Sequence, residues 1–127
     1  MDPKAGAIQA RLQQQSSIFQ KLEGDLTEVI TARQRLDSQL SENEVVLKEF
    51  TLLKPHNTVY KLVGPSLVSQ DQAEARGNVE KRLEFIRAEI KRVETQLKEQ
   101  EEKVGKKRGE IMALQQELQA LQPSGPE

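Results

Sequence analysis

The sequence predicts a mainly α-helical protein, a long antiparallel two-helix coiled coil with one β-hairpin at the bend. Residues 4–54 and 66–122 contain no proline. Each of these stretches carries apolar residues at alternating steps of three and four, which is the heptad pattern of a left-handed coiled coil. A short segment rich in strand-forming residues separates them, so the chain is expected to fold back on itself there.

The composition fits a coiled coil better than a globular core. Of 127 residues, 35% are hydrophobic, 31% charged and 3% aromatic. A globular domain normally has a larger apolar share, whereas a coiled coil buries only one stripe of each helix. Low hydrophobicity also occurs in disordered chains, but the regular periodicity argues against disorder.

Charge and residue content exclude several classes of function. The net charge is −1, and no basic block is long enough to indicate nucleic acid as a partner. The chain contains no cysteine, no signal-peptide-like apolar core and no apolar run of about 18 residues. We therefore expect no membrane partner and a cytoplasmic location.

The first helix is predicted over residues 8–54, after a flexible N-terminus at 1–7, and Pro55 ends it. Its apolar stripe, or seam, is formed by Ile8, Leu12, Gln15, Phe19, Leu22, Leu26, Val29, Arg33, Leu36, Leu40, Asn43, Leu47 and Phe50. Ten of these thirteen residues are apolar, so the helix is expected to pack along its whole length.

The second helix is predicted over residues 70–121, with a capping box that begins at Ser69, and residues 122–127 are expected to form a disordered tail. Its seam is formed by Val79, Leu83, Ile86, Ile90, Val93, Leu97, Gln100, Val104, Lys107, Ile111, Leu114, Leu118 and Leu121. A bend centred near residue 63 would place Arg33 opposite Val93, Asn43 opposite Leu83 and Ile8 opposite Leu118.

Residues 55–69 are predicted to form the β-hairpin, with its turn at Gly64-Pro65. Its strand-forming residues are called the assembly residues below: Val59, Tyr60, Leu62, Val63, Leu67 and Val68. Two isolated strands have open edges and no covered face. The hairpin is therefore expected to be the platform through which the chain joins other subunits.

Five polar residues interrupt the seams: Arg33, Asn43, Gln15, Gln100 and Lys107. Long side chains at such positions are often tolerated because their polar ends reach water. A polar residue in a seam can also fix the register of the two helices, and asparagine is the best-attested case. We assign register control to Asn43 alone.

Nothing in the sequence indicates catalysis or a cofactor. His56 is the single histidine and lies in a polar loop, where a solvated role is expected. One histidine without cysteine cannot build the usual zinc sites. No phosphate-binding glycine loop is present. The protein is expected not to be an enzyme and to need no cofactor.

Apolar residues near the free helix ends indicate a second working surface. Ile18 and Met112 are apolar but lie off the seams. With neighbouring seam residues they form a set called the tip residues below: Ile8, Leu12, Ile18, Phe19, Ile111, Met112, Leu114, Leu118 and Leu121. A coiled-coil end that splays could bind non-native apolar segments. Plain seam packing with two stray surface residues is the alternative.

Three helical glycines, Gly24, Gly105 and Gly109, fall near the same end. Each weakens a helix interior by about 1 kcal/mol relative to alanine. Our hypothesis is a soft zone that lets this end of the coil bend, and neutral variation on an exposed face is the alternative.

Four segments, 39–46, 59–68, 74–76 and 79–86, resemble the β-class subunits of the prefoldin family. Their sequences are Gln-Leu-Ser-Glu-Asn-Glu-Val-Val, Val-Tyr-Lys-Leu-Val-Gly-Pro-Ser-Leu-Val, Glu-Ala-Arg and Val-Glu-Lys-Arg-Leu-Glu-Phe-Ile. The resemblance spans roughly residues 8–121. A single hairpin fits the β class, because α-class subunits have two.

The resemblance implies a heterohexamer of α- and β-class subunits whose hairpins join into β-barrels. It implies that the coiled-coil tips hold unfolded actin-like and tubulin-like polypeptides without ATP and deliver them to the cytosolic chaperonin. The assembly residues carry over by sequence match, and the tip residues by position only. A structural coiled-coil adaptor without client binding is the competing hypothesis.

Overall fold

The structure is a computed structural model that describes residues 2–122. Helix α1 covers Pro3–Leu52, strand β1 Val59–Val63, strand β2 Ser66–Gln70 and helix α2 Gln72–Leu121. The two strands form an antiparallel two-stranded sheet. The predicted fold class, two long helices joined by one β-hairpin, is confirmed.

Helix α1 begins earlier than predicted. The carboxylate of Asp2 accepts a hydrogen bond from the Lys4 backbone N–H at 2.9 Å, and the Asp2 carbonyl accepts one from the Gly6 N–H at 3.1 Å. Pro3 takes the first helical position, where its missing N–H costs nothing. Ala5 is buried. Helix α1 therefore includes residues 3–7, which the prediction had placed ahead of the helix.

Helix α1 ends at Leu52, two residues before the predicted boundary. The Lys54 N–H donates to the Asn57 side-chain oxygen at 2.8 Å, and the Asn57 N–H donates to the Lys54 carbonyl at 3.0 Å. This local pair replaces helical hydrogen bonds ahead of Pro55. The first helix therefore stops in a tight turn rather than at the proline itself.

Helix α2 is capped by Asp71 and not by Ser69. The Asp71 carboxylate accepts a hydrogen bond from the Glu74 N–H at 3.1 Å, which is the N-cap geometry. Ser69 lies in β2 opposite Tyr60, so the predicted capping box is wrong by two residues. Of the predicted tail at 122–127, only Gln122 lies within the described residues.

Packing divides the chain into two units. The hairpin unit comprises residues 32–94, and the terminal unit comprises the described residues 2–31 and 95–122. The hairpin-unit core is formed by α2 residues, among which Leu83 is 1% exposed. The terminal unit buries Ala5, Ile8, Val104 and Leu114. Every predicted seam position in both helices is buried or half-buried.

Side-chain contacts between the helices show their register in the hairpin unit. The Arg33 guanidinium lies 2.9 Å from the Glu94 carboxylate, and the Arg82 guanidinium donates a hydrogen bond to the Asn43 side-chain oxygen at 3.4 Å. Both contacts lie one residue from the predicted facing positions, Val93 and Leu83. Within residues 2–122, neither helix contains an apolar stretch that could span a bilayer.

Candidate assembly and client-binding surfaces

The hairpin is closed by a two-residue turn at Gly64-Pro65. Val63 pairs with Ser66, Leu62 with Leu67 and Lys61 with Val68. Gly64 has φ of 59°, a left-handed conformation that side chains with a Cβ rarely adopt. Glycine at the first central position is typical of the turns that match the twist of a hairpin. Gly64 therefore favours the tight turn that joins the two paired strands.

One face of the hairpin is apolar and open. Directly opposed residues of antiparallel strands share a face, so Tyr60, Leu62, Leu67 and Ser69 lie together. Leu62 is 69% exposed, Leu67 67% and Tyr60 58%. Two opposed leucines that both face solvent form an exposed apolar patch, which is typical of a protein–protein interaction surface.

The second face of the hairpin carries Val63 and Val68, with Lys61 paired opposite Val68 and with Val59 at its base. Val59 is half-buried and lines a groove of about 230 Å³ with Val46, Phe50 and Leu53. All six assembly residues therefore lie on the two strands, and all except Val59 are exposed.

Further exposed apolar residues lie on the helices of the same unit. These are Val45, Val46, Leu52 and Phe85, with exposed fractions of 59%, 41%, 73% and 65%. Sequence reasoning did not select them, although their position off the seam was a usable signal. They enlarge the apolar surface of the hairpin unit beyond the strands.

Gln72 ties the hairpin to the helix ends. Its side-chain amide donates to the Lys54 carbonyl at 2.9 Å and to the Asn57 carbonyl at 2.6 Å. The first residue of α2 thereby holds the loop that precedes β1. These bonds restrict the orientation of the strands relative to the helices of this unit. Sequence reasoning missed this role of Gln72.

The nine tip residues all lie in the terminal unit, but most are packed. Ile8 and Leu114 are buried, whereas Leu12, Phe19, Ile111, Leu118 and Leu121 are half-buried. Only Ile18 and Met112 are exposed, at 40% and 53%. They occupy heptad positions g and b, which face opposite flanks of a helix pair. The tip residues therefore do not form one open patch.

A polar layer interrupts the seam of the terminal unit. The Lys107 ammonium donates to the Gln15 side-chain oxygen at 2.6 Å and to the Glu110 carboxylate at 2.8 Å. The hydrogen bond from Lys107 lowers the pKa of Glu110 below its ordinary value. A second polar seam residue, Gln100, donates to the Leu22 carbonyl at 3.2 Å.

The hydrogen bonds of the polar seam residues show which of them could control the register of the two helices. Asn43 donates to the Gln39 carbonyl of its own helix at 2.7 Å and accepts the long hydrogen bond from Arg82. The shorter and partly buried Lys107–Gln15 bond is a second candidate, which sequence reasoning treated as tolerated. Its partners could be recognised only once the register was known.

Arg108 covers one of the tip residues. Its guanidinium lies 5.7 Å from the centre of the Phe19 ring, within cation–π range. The contact shields part of the ring from water while leaving the charge exposed. A ligand that stacked on this face of the Phe19 ring would have to displace Arg108.

Residues 2–122 contain no cluster of acidic, histidine or cysteine residues that could hold a metal ion. His56 is exposed in the loop between α1 and β1.

Comparisons with known proteins agree with this geometry. A family model described as "Prefoldin subunit" matches residues 13–118. Prefoldin subunit 6 of Homo sapiens is 45% identical over 118 residues, which cover 93% of this chain and 92% of that protein. Prefoldin subunit 6 of Arabidopsis thaliana is 46% identical over 115 residues, covering 91% and 89%.

A solved structure shares the fold. The crystal structure of the prefoldin beta subunit from Thermococcus strain KS-1 superposes with a TM-score of 0.68 at 22% identity, covering 98% of this chain and 97% of that chain. Helices, hairpin and comparisons together define a chaperone subunit of the hairpin-bearing coiled-coil type. The chain belongs to the prefoldin family, and the resemblance to its β-class subunits is confirmed.

Proposed function

We propose that this chain is a β-class subunit of a hexameric prefoldin co-chaperone. It holds unfolded polypeptides such as actin-like and tubulin-like chains and delivers them, without ATP, to the cytosolic chaperonin. The observation that carries the proposal is the solvent-exposed apolar hairpin in a chain whose family is prefoldin. The protein acts in the cytoplasm and uses no cofactor.

The unpaired outer edges of the hairpin support assembly with other α- and β-class subunits. Its two strands have one partner each and present free backbone groups along their outer edges. Strands added by neighbouring subunits would satisfy those groups, and closure of the joined strands into a barrel would cover one face of the hairpin. The six assembly residues would then line the interface between subunits.

Client holding is assigned to the tip residues of the terminal unit. Ile18 and Met112 are already exposed. The half-buried seam residues close to the chain ends become available when the last helical turns fray, since terminal turns open at a low free-energy cost. Apolar contacts of this kind carry little sequence preference, which suits varied unfolded clients.

The competing function is a structural adaptor whose terminal unit binds no client. The packing of seven tip residues into the seam favours this alternative. Both functions use the same fold and the same hairpin, so only a test of client binding separates them. Neither function involves catalysis, nucleic acid or a membrane.

A truncated chain that lacks residues 1–19 and 109–127 separates the two functions. It keeps the whole hairpin unit, so we expect it to assemble with α- and β-class prefoldin subunits. Complexes that contain it should suppress aggregation of denatured actin less than full-length complexes, as measured by light scattering. Unchanged suppression by a fully assembled truncated complex would favour the adaptor.

A further inference from the structure

The charge of the hairpin is concentrated in one residue. Between Val59 and Gln70 the sequence contains one residue that is charged at neutral pH, Lys61, and no carboxylate. The carboxylate that follows the hairpin, Asp71, accepts the Glu74 N–H at the start of α2. The hairpin therefore carries an unneutralised positive charge on an otherwise apolar and neutral surface.

Lys61 lies at the midpoint of β1, which covers Val59–Val63. It is exposed and stands opposite Val68. None of the ion pairs within residues 2–122 involves Lys61. The ammonium group is free to meet whatever strand is added to the outer edge of β1.

The central position of Lys61 matters for pairing between two copies of the chain. If two β1 strands joined antiparallel in full overlap about a two-fold axis, the residue at the midpoint would face its own copy. The two Lys61 side chains would then stand about 4.5–5.5 Å apart at their Cβ atoms, and like charges directly opposite each other destabilise a sheet.

The other edge of the hairpin lacks this feature. The midpoint of β2, which covers Ser66–Gln70, is the uncharged Val68. A lysine on an edge strand is a known device against unwanted pairing. Here the device is present on β1 only, so the two edges of the hairpin differ in the partners they accept.

We propose that Lys61 makes β1 a partner-selective edge, which excludes β1 of a second copy and favours a strand that places a carboxylate opposite Lys61. The occupant is thus the hairpin of a different subunit with an aspartate or glutamate at the matching position. The proposal rests on the proposed function, because it assumes that hairpins join subunits.

A competition experiment tests the proposal on full-length chains. Equimolar wild type and variant compete for a limiting amount of α- and β-class prefoldin subunits, and mass spectrometry measures the share of each in purified complexes. We expect Lys61→Glu to be under-represented about tenfold and Lys61→Met to fall in between, since an opposite-charge pair becomes a neutral or a like-charge pair. Circular dichroism checks that each variant retains its helices.

Two control variants make the result interpretable. Lys81→Glu makes the same charge change on an exposed position of α2 in the same unit, and it should compete equally with wild type. Leu67→Asp disrupts the hairpin surface and should be almost absent from complexes. If Leu67→Asp is excluded but Lys61→Glu competes equally, the Lys61 proposal is overturned. If Leu67→Asp also competes equally, hairpin assembly itself is wrong.

Self-association of the isolated chain provides a second measurement. By sedimentation velocity at low ionic strength, Lys61→Met should self-associate several-fold more strongly than wild type, because the repulsion at the β1 edge is gone. A mixture of wild type and Lys61→Glu should also associate more strongly than either chain alone, and salt should weaken this gain. Equal association of all samples would contradict exclusion of a second copy.

Discussion

At the scale of single residues, sequence reasoning located the turn but not the cap. Gly64-Pro65 carries a strong turn signal, and the strands meet there as predicted. Ser69 and Asp71 are both good N-cap residues by type. Only the pairing of Ser69 with Tyr60 shows that Ser69 belongs to β2. Local propensity could not decide between them because tertiary pairing sets the boundary.

Gly64 gives the most direct residue-scale prediction. A Cβ at this position would meet nothing within 4 Å, so only the left-handed backbone conformation opposes a side chain. We expect Gly64→Ala to destabilise the hairpin by about 1–2 kcal/mol and to lower the yield of assembled complex. Co-assembly with α- and β-class subunits measures the effect.

Gly77→Ala is the matched control for this prediction. Gly77 also has open space around it but lies within α2, where alanine is favoured by about 1 kcal/mol. This control should assemble as well as wild type. Equal assembly of the two alanine variants would show that the turn conformation does not limit assembly.

At the scale of elements, heptad spacing predicted both helices. All the seam positions that it selected are buried or half-buried in the structure. It did not predict that α1 begins at Pro3, because residues 3–7 carry too few apolar residues to extend the pattern. It also missed the bond between Gln15 and Lys107. Heptad spacing identifies seam positions within each helix, but a partner across two helices follows only from their register.

The soft-zone hypothesis belongs to this scale. Gly105 and Gly109 both have open space at the Cβ position, so alanine fits at either without a clash. The double variant Gly105→Ala, Gly109→Ala should stabilise α2 of the terminal unit by about 1 kcal/mol per site. It should also slow amide hydrogen exchange over residues 100–110 and, because the hypothesis requires this end to bend, reduce client holding.

The wild-type chain supplies the decisive comparison for the soft zone. Amide exchange over residues 100–110 should be faster than over residues 85–95, where Ile86, Ile90 and Val93 are buried. Exchange that is no faster at 100–110 would remove the hypothesis, whatever the alanine variants do.

At the scale of the whole molecule, the heptads and the hairpin predicted a shape without an enzyme pocket, and the family resemblance supplied the function. The segments that carry the resemblance lie in the hairpin unit, where the structure places the exposed assembly residues. The tip residues could not be identified as a site from sequence, since seam packing and client binding require the same residue types.

The central claim is that the hairpin joins subunits while the terminal unit holds clients. Light scattering of denatured actin, in the presence of complexes reconstituted with matched variants, tests it most directly. Ile18→Ser with Met112→Ser should assemble fully but suppress aggregation less, whereas Val63→Asp with Leu67→Asp should be absent from complexes and retain its helicity. Full suppression by the first variant, or normal assembly of the second, would contradict the account.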